Sequence, residues 1–175
     1  LVILLLKSSK SRLLFSWNPH PWFYLVHSGH QERMLQSLKS LDARMYKIVG
    51  GNTYLDRWCE RFWDRRFVEY SFSPSPFRAE QTRYFSIVDD WIVTVKLEAR
   101  MVERMEECYC ESRRADAVDH RKLASLFCQR SKVAVSLEHH PKRAAILRGK
   151  FVRYFGIPNK ALLDVPMRPN RLASR

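Results

Sequence analysis

Glycine is scarce in this chain, five among 175 residues, and the shortage bears directly on chemistry. Phosphate-cradling loops need glycine wherever backbone must approach a ligand closely. Gly149-Lys150 does not complete such a loop, because Ala144 stands where the leading glycine would be. Neither G-x-S-x-G nor H-E-x-x-H occurs. The sequence therefore predicts no catalytic site, no cofactor and no small-molecule substrate.

Long apolar runs are also missing. The opening "LVILLL" is six residues ending at Lys7, too short to span a bilayer or to serve as a secretory core, so no transmembrane segment is expected. Cysteine is sparse: Cys59, Cys108, Cys110 and Cys128 are too few for a secreted disulfide framework, and reduced thiols are expected. Cys108, Cys110, His120 and Cys128 carry ligand types that suit zinc, but their spacing matches no common finger. His139-His140 reads as a helix-entry pair more readily than as a ligand pair.

Acid is absent from residues 1–31, where "KSSKSRLLFS" mixes basic, hydroxyl and apolar side chains as organelle transit segments do. That composition predicts the mitochondrial matrix as the compartment. An ordered arm packed on a neighbour is the competing reading of the same segment.

What the chain has in excess is positive charge. The formal net charge is +13 and the sequence pI about 10.0, and residues 111–175 hold fifteen Lys/Arg against five acids. A surface this basic attracts polyanions. With 46% hydrophobic and 28% charged residues the chain should still fold around a core.

The pattern along the chain predicts a mostly α fold, a small helical domain with extended N- and C-terminal arms. Residues 1–27 read as an aromatic arm because "WNPHPWFYLVH" is broken by Pro19 and Pro21. A helical domain would occupy 28–158. Its first helix begins at Ser28, whose capping-box partner is Gln31, and carries Met34, Leu35, Leu38, Leu41, Met45 and Ile48 until Gly50 and Gly51 stop it. A second, about Tyr54 to Phe67, starts after the hydroxyl cap Thr53, with Leu55, Trp58, Cys59, Phe62 and Trp63 on its apolar side. Arg66 falls inside that arc and marks the fraying end. Trp58, Phe62 and Trp63 read as core or a docking face rather than a base-stacking platform.

"SFSPSPF" at 71–77 is a proline-bearing linker. Residues 84–97 alternate like a short β-hairpin but also fit helical spacing. The missing turn glycine favours one helix running to about Ser112. Asp119 should cap a further helix with Leu123, Leu126 and Phe127, and "KVAVSL" is either a strand or another helical turn. Asp89-Asp90 and Glu106-Glu107 read as solvating pairs.

The last helix is well punctuated. Pro141 suits its first turn and Gly156 the left-handed position past its end. On a wheel Ala144, Leu147, Phe151, Tyr154 and Phe155 share one arc, with Lys142, Arg143, Lys150 and Arg153 opposite and Arg148 on the flank. Arg113, Arg114, Arg121, Lys122, Arg130 and Lys132 extend the patch, and the tail, 159–175, adds Lys160, Arg168 and Arg171. Arg forks suit phosphate oxygens, and each neutralised phosphate releases counterions. No base-reading signature accompanies these residues.

The expected partner is therefore RNA, bound through its backbone, with proteins of a large complex as neighbours. The predicted role is a non-catalytic structural subunit of a ribonucleoprotein, a mitochondrial ribosomal protein contacting rRNA. The alternative is an accessory scaffold subunit of a mitochondrial respiratory or ATP-synthase complex, its cations facing acidic proteins or lipid headgroups.

Overall fold

The computed structural model describes residues 1–26, 28–74, 76–77 and 82–158. Its centre is a six-stranded mixed sheet in the order β3-β2-β1-β4-β5-β6, which overturns the mostly α prediction. The strands are β1 (Leu13–Asn18), β2 (Arg44–Val49), β3 (Val68–Phe72), β4 (Arg83–Val88), β5 (Trp91–Leu97) and β6 (Val133–His139). Around them lie helices α1 (Val2–Ser8), α2 (Phe23–Val26), α3 (Ser28–Ser40), α4 (Tyr54–Trp58), α5 (Ala99–Glu111), α6 (His120–Cys128) and α7 (Pro141–Phe155). β1, β2 and β3 pair in parallel, whereas β4, β5 and β6 pair antiparallel, so strand direction changes between β1 and β4.

The middle of the predicted N-terminal arm is instead an interior strand, while Leu1 and Leu4 at its start are exposed. Every residue of β1 is buried, because a central strand covered on both faces needs apolar side chains in both directions. The first predicted helix stops short of Gly50. α3 ends at Ser40, and Met45 and Ile48, counted as helical, belong to β2. The break falls at Asp42, which adopts φ 51°, a left-handed conformation that Asp tolerates better than most residues.

The helix expected to reach Phe67 ends after α4 and a single 3-10 turn, Cys59–Phe62. Within the supposed linker, Ser71 and Phe72 complete β3 and Phe77 is buried. The long helix expected through 85–112 is the hairpin β4–β5 followed by α5. Its turn does without glycine because Asp89 takes φ 49° while its carboxylate accepts hydrogen bonds from Ser9 Oγ, Ser11 Oγ and the Lys10 backbone N–H.

Both faces of the sheet are covered. On one, Phe15, Trp17, Ile48, Ile87 and Ile92 pack beneath Phe77 and beneath Ala144 and Phe151 of α7. The Phe151 ring lies 4.9 Å from that of Phe77 and 5.5 Å from that of Phe15, so the basic helix is anchored through its predicted apolar arc. On the other face, Leu14, Met45, Val49, Val68 and Val88 lie under α1, α2 and α3, while Tyr84 and Leu97 lie under α5 and α6. Among the described residues no helix is long and apolar enough to cross a membrane.

Candidate functional site

The predicted caps set the ends of the cationic elements. In α7, His140 accepts the Arg143 N–H, Pro141 occupies the first turn, and Gly156 at φ 63° donates its N–H to the Val152 carbonyl. Asp119 caps α6 by accepting the N–H groups of Arg121 and Lys122.

The predicted RNA-contacting cations then divide in two. Lys122 Nζ lies 2.6 Å from Glu111, Arg114 Nε 2.7 Å from Asp116, and an Arg143 guanidinium nitrogen 2.7 Å from Glu138. Lys150 donates to the Pro76 carbonyl at 3.4 Å and sits over the Phe77 ring. Arg148, on the flank of α7, donates to the Asp89 carbonyl.

Arg113, Arg121, Arg130, Lys132, Lys142 and Arg153 are exposed and make no ion pair among the described residues. They form two groups rather than one helix face. The first four lie around α5, α6 and the start of β6, and the last two on α7 against the opposite face of the sheet. The outermost strand, β6, runs between them for about 20 Å, exposing Val133, Val135 and Leu137. Lys160, Arg168 and Arg171 lie outside the described residues.

A second constellation was not legible in the sequence. His20 follows β1 and is buried against the first turn of α4. Its Nδ1 lies 2.8 Å from Asp56 Oδ1 and its Nε2 3.2 Å from Glu106 Oε1. Asp56, itself fully buried, also accepts from the Thr53 N–H at 2.8 Å and the Thr53 hydroxyl at 2.9 Å. A Cβ on Gly51 would stand 2.3 Å from Asp56 Oδ2 and 2.4 Å from His20 Cε1. That glycine, read as a helix stop, is required by close approach.

Burial opposes protonation of His20, but the hydrogen bonds to Asp56 and Glu106 outweigh it and raise its pKa to about 9. At neutral pH both ring nitrogens carry protons donated to carboxylates. No lone pair remains for general base work or metal binding. This group is a clamp joining the end of β1, α4 and α5. Glu106 belongs to it rather than to a solvating pair, and its pKa is lowered by the bond to His20.

The third feature is a polar row across the middle of the sheet, on the face covered by α1, α2 and α3. Ser16 pairs in register with Lys47 on one side and Ser86 on the other. Ser16 and Lys47 are buried, and Asn18, one step along β1, donates its amide to Ser16 Oγ at 3.1 Å. Lys47 Nζ sits 5.0 Å from the Phe23 ring centre and 5.1 Å from those of Tyr24 and Trp63. Among the described residues no carboxylate forms an ion pair with it. Burial lowers its pKa to about 7. Its sequence position gave no signal, since one Lys within "RMYKIV" looks like an exposed strand or helix residue.

The suggested zinc ligands do not assemble. Cys108 is buried while Cys110 and Cys128 are exposed, and among the described residues no three His, Cys, Asp or Glu side chains converge as a metal site requires. Compared with known protein families, with curated proteins and with solved structures, the chain matches none.

Proposed function

We propose that this protein is a non-catalytic subunit of a large ribonucleoprotein, contacting the RNA backbone through its basic carboxyl-terminal third. The observation that carries this reading is the set of six exposed cations, Arg113, Arg121, Arg130, Lys132, Lys142 and Arg153, without acidic partners among the described residues. Solubilising faces intersperse both signs. Cations left unneutralised on either side of an outer strand suit a polyanion whose charge repeats along its length. Lys122 and Arg143, held by Glu111 and Glu138, contribute less, because an RNA phosphate would have to displace a carboxylate first.

The test is RNA affinity as a function of salt. Replacing Arg113, Arg121, Arg130 and Lys132 together by Gln should flatten the logarithmic salt slope by roughly three to four units, about one for each phosphate no longer neutralised. Replacing Lys122 and Arg143 should flatten it by less than about one unit. Equal slopes in all three proteins would overturn the proposal. The particle we name is the mitochondrial ribosome, on the acid-free composition of residues 1–31. A fluorescent fusion that stays outside mitochondria would remove that assignment and leave the RNA reading standing. Protein that ignores nuclease and follows detergent-solubilised membranes would replace both with the accessory membrane-complex role.

A further inference from the structure

The polar row beneath α1, α2 and α3 opens onto a cavity of about 270 Å³. Lys47, Ser16, Asn18 and Ser86 all line it. The three polar groups of the row, Lys47, Ser16 and Ser86, present protons. The Lys47 ammonium offers three N–H donors to ring faces that have no lone pairs. The Asn18 amide occupies an acceptor site on Ser16 Oγ, and the Ser16 hydroxyl donates no hydrogen bond among the described residues. The Ser86 hydroxyl likewise makes no side-chain hydrogen bond among them.

Cation–π contact compensates only part of the cost of stripping water from an ammonium, and a Met or Leu would fill the same space at lower cost. The cluster holds a cation and two hydroxyl donors and, among the described residues, no anionic acceptor. We infer that this cavity binds a small monocarboxylate with an apolar body, its carboxylate received by Lys47, Ser16 and Ser86.

The remaining walls define the ligand. Among the described residues no Asp or Glu lines the cavity and Lys47 is its one cationic lining residue, so a monoanion balances the charge and a dianion does not. Leu14, Met34, Met45, Val93 and Val95 supply apolar surface for the body of the ligand, with thioethers that adapt to its outline. Val2, Trp22 and Gln31 line the cavity and are half-buried, so it opens toward solvent between α1 and α3. The site is independent of the RNA surface: none of the six exposed cations lines it.

The neighbouring titratable groups leave Lys47 as the switch. Burial raises the Cys59 thiol to about 12 and the Tyr24 phenol above its ordinary range, so both are neutral when Lys47 titrates. Binding a carboxylate favours the ammonium, so the complex takes up a proton above pH 7. Affinity should then fall about tenfold for each pH unit beyond that point.

Phenylacetate, phenylacetamide and phenethylamine share an aromatic body and differ in charge. Titrated into the full-length protein and followed by calorimetry and by the methyl resonances of Met34 and Met45, phenylacetate should bind at least about tenfold tighter than the amide. Phenethylamine should not bind. Lys47→Met should abolish the preference for acid over amide while melting no lower than the unaltered protein. Should that variant fail to fold, Ser86→Ala provides the second reading, with an expected loss of about threefold to tenfold for phenylacetate alone. Equal affinity for acid and amide overturns the inference. So does a preference that survives in Lys47→Met or, where Ser86→Ala is used, is unchanged in that variant, and so does no saturable binding of phenylacetate at millimolar concentration.

Discussion

His20 and Lys47 are both basic side chains withdrawn from water, 5% and 3% exposed, and their surroundings could hardly differ more. His20 lies between two carboxylates that take both of its N–H groups, and its pKa rises to about 9. Lys47 lies among three aromatic rings with no carboxylate paired to it in the described structure, and its pKa falls to about 7. The difference teaches how to read a buried cation. One with its hydrogen bonds completed by the chain itself holds elements together. One with donors left over, at the wall of a cavity, marks a place where something else completes them.

The largest break in the comparison is to strip the clamp of its buried anion. Asp56→Ala leaves His20 short of its stronger partner and deletes the capping box with Thr53. It should lower unfolding free energy by about 3–5 kcal/mol in a denaturant titration. A loss below about 1 kcal/mol would mean that the clamp contributes little.

At Lys47 the same kind of experiment should have the opposite sign. Lys47→Met removes an unpaired ammonium and should stabilise the unliganded protein by about 1–3 kcal/mol near pH 6. The gain should shrink as pH rises. A lysine whose folded pKa lies below its unfolded value carries a penalty that is complete below about pH 7 and is relieved as pH climbs toward the ordinary lysine range. His20 runs the other way. Its contribution is fully present below its ordinary pKa of 6.5 and is lost as pH rises through about 9. Its faces are lined by Asp56, Glu106, Tyr84 and Tyr109, and both phenols are held above their ordinary range by burial, so the carboxylates set this window. The two effects offset each other in the unaltered protein. The smaller prediction follows: Lys47→Met should lose stability between pH 7 and 9 more steeply than the unaltered chain.

Neither buried group was legible from the residue order, and the reasons are physical. His20, Asp56 and Glu106 are brought together by sheet topology, which places the end of β1 beside α4 and α5. The nearest sequence clue was the Thr53 cap, which gave no sign that its capping-box partner Asp56 also holds His20. Lys47 was hidden because β1 and β2 are covered on both faces and so lack the alternation that reveals a half-buried strand. Met45 and Ile48 were then free to imitate a helix. Asp42 and Asp89 turned the chain at positive φ without glycine, which concealed the end of α3 and the β4–β5 hairpin. Local chemistry at helix ends was read correctly, at Thr53, Asp119, Pro141 and Gly156, because a cap depends on neighbours within one turn. The cationic surface was legible as composition but not as geometry, since the acids that neutralise Lys122, Arg114 and Arg143 could not be matched to them beforehand.

The contrast between a closed and an open buried cation is tested most directly by a nitrogen-detected NMR titration of the unliganded protein, following the His20 ring and the Lys47 amine together. The account predicts that His20 keeps both protons through neutrality and loses one at about 9, while Lys47 changes at about 7. A Lys47 amine that stays protonated to the ordinary lysine value, together with a His20 ring already neutral at pH 7, would contradict it.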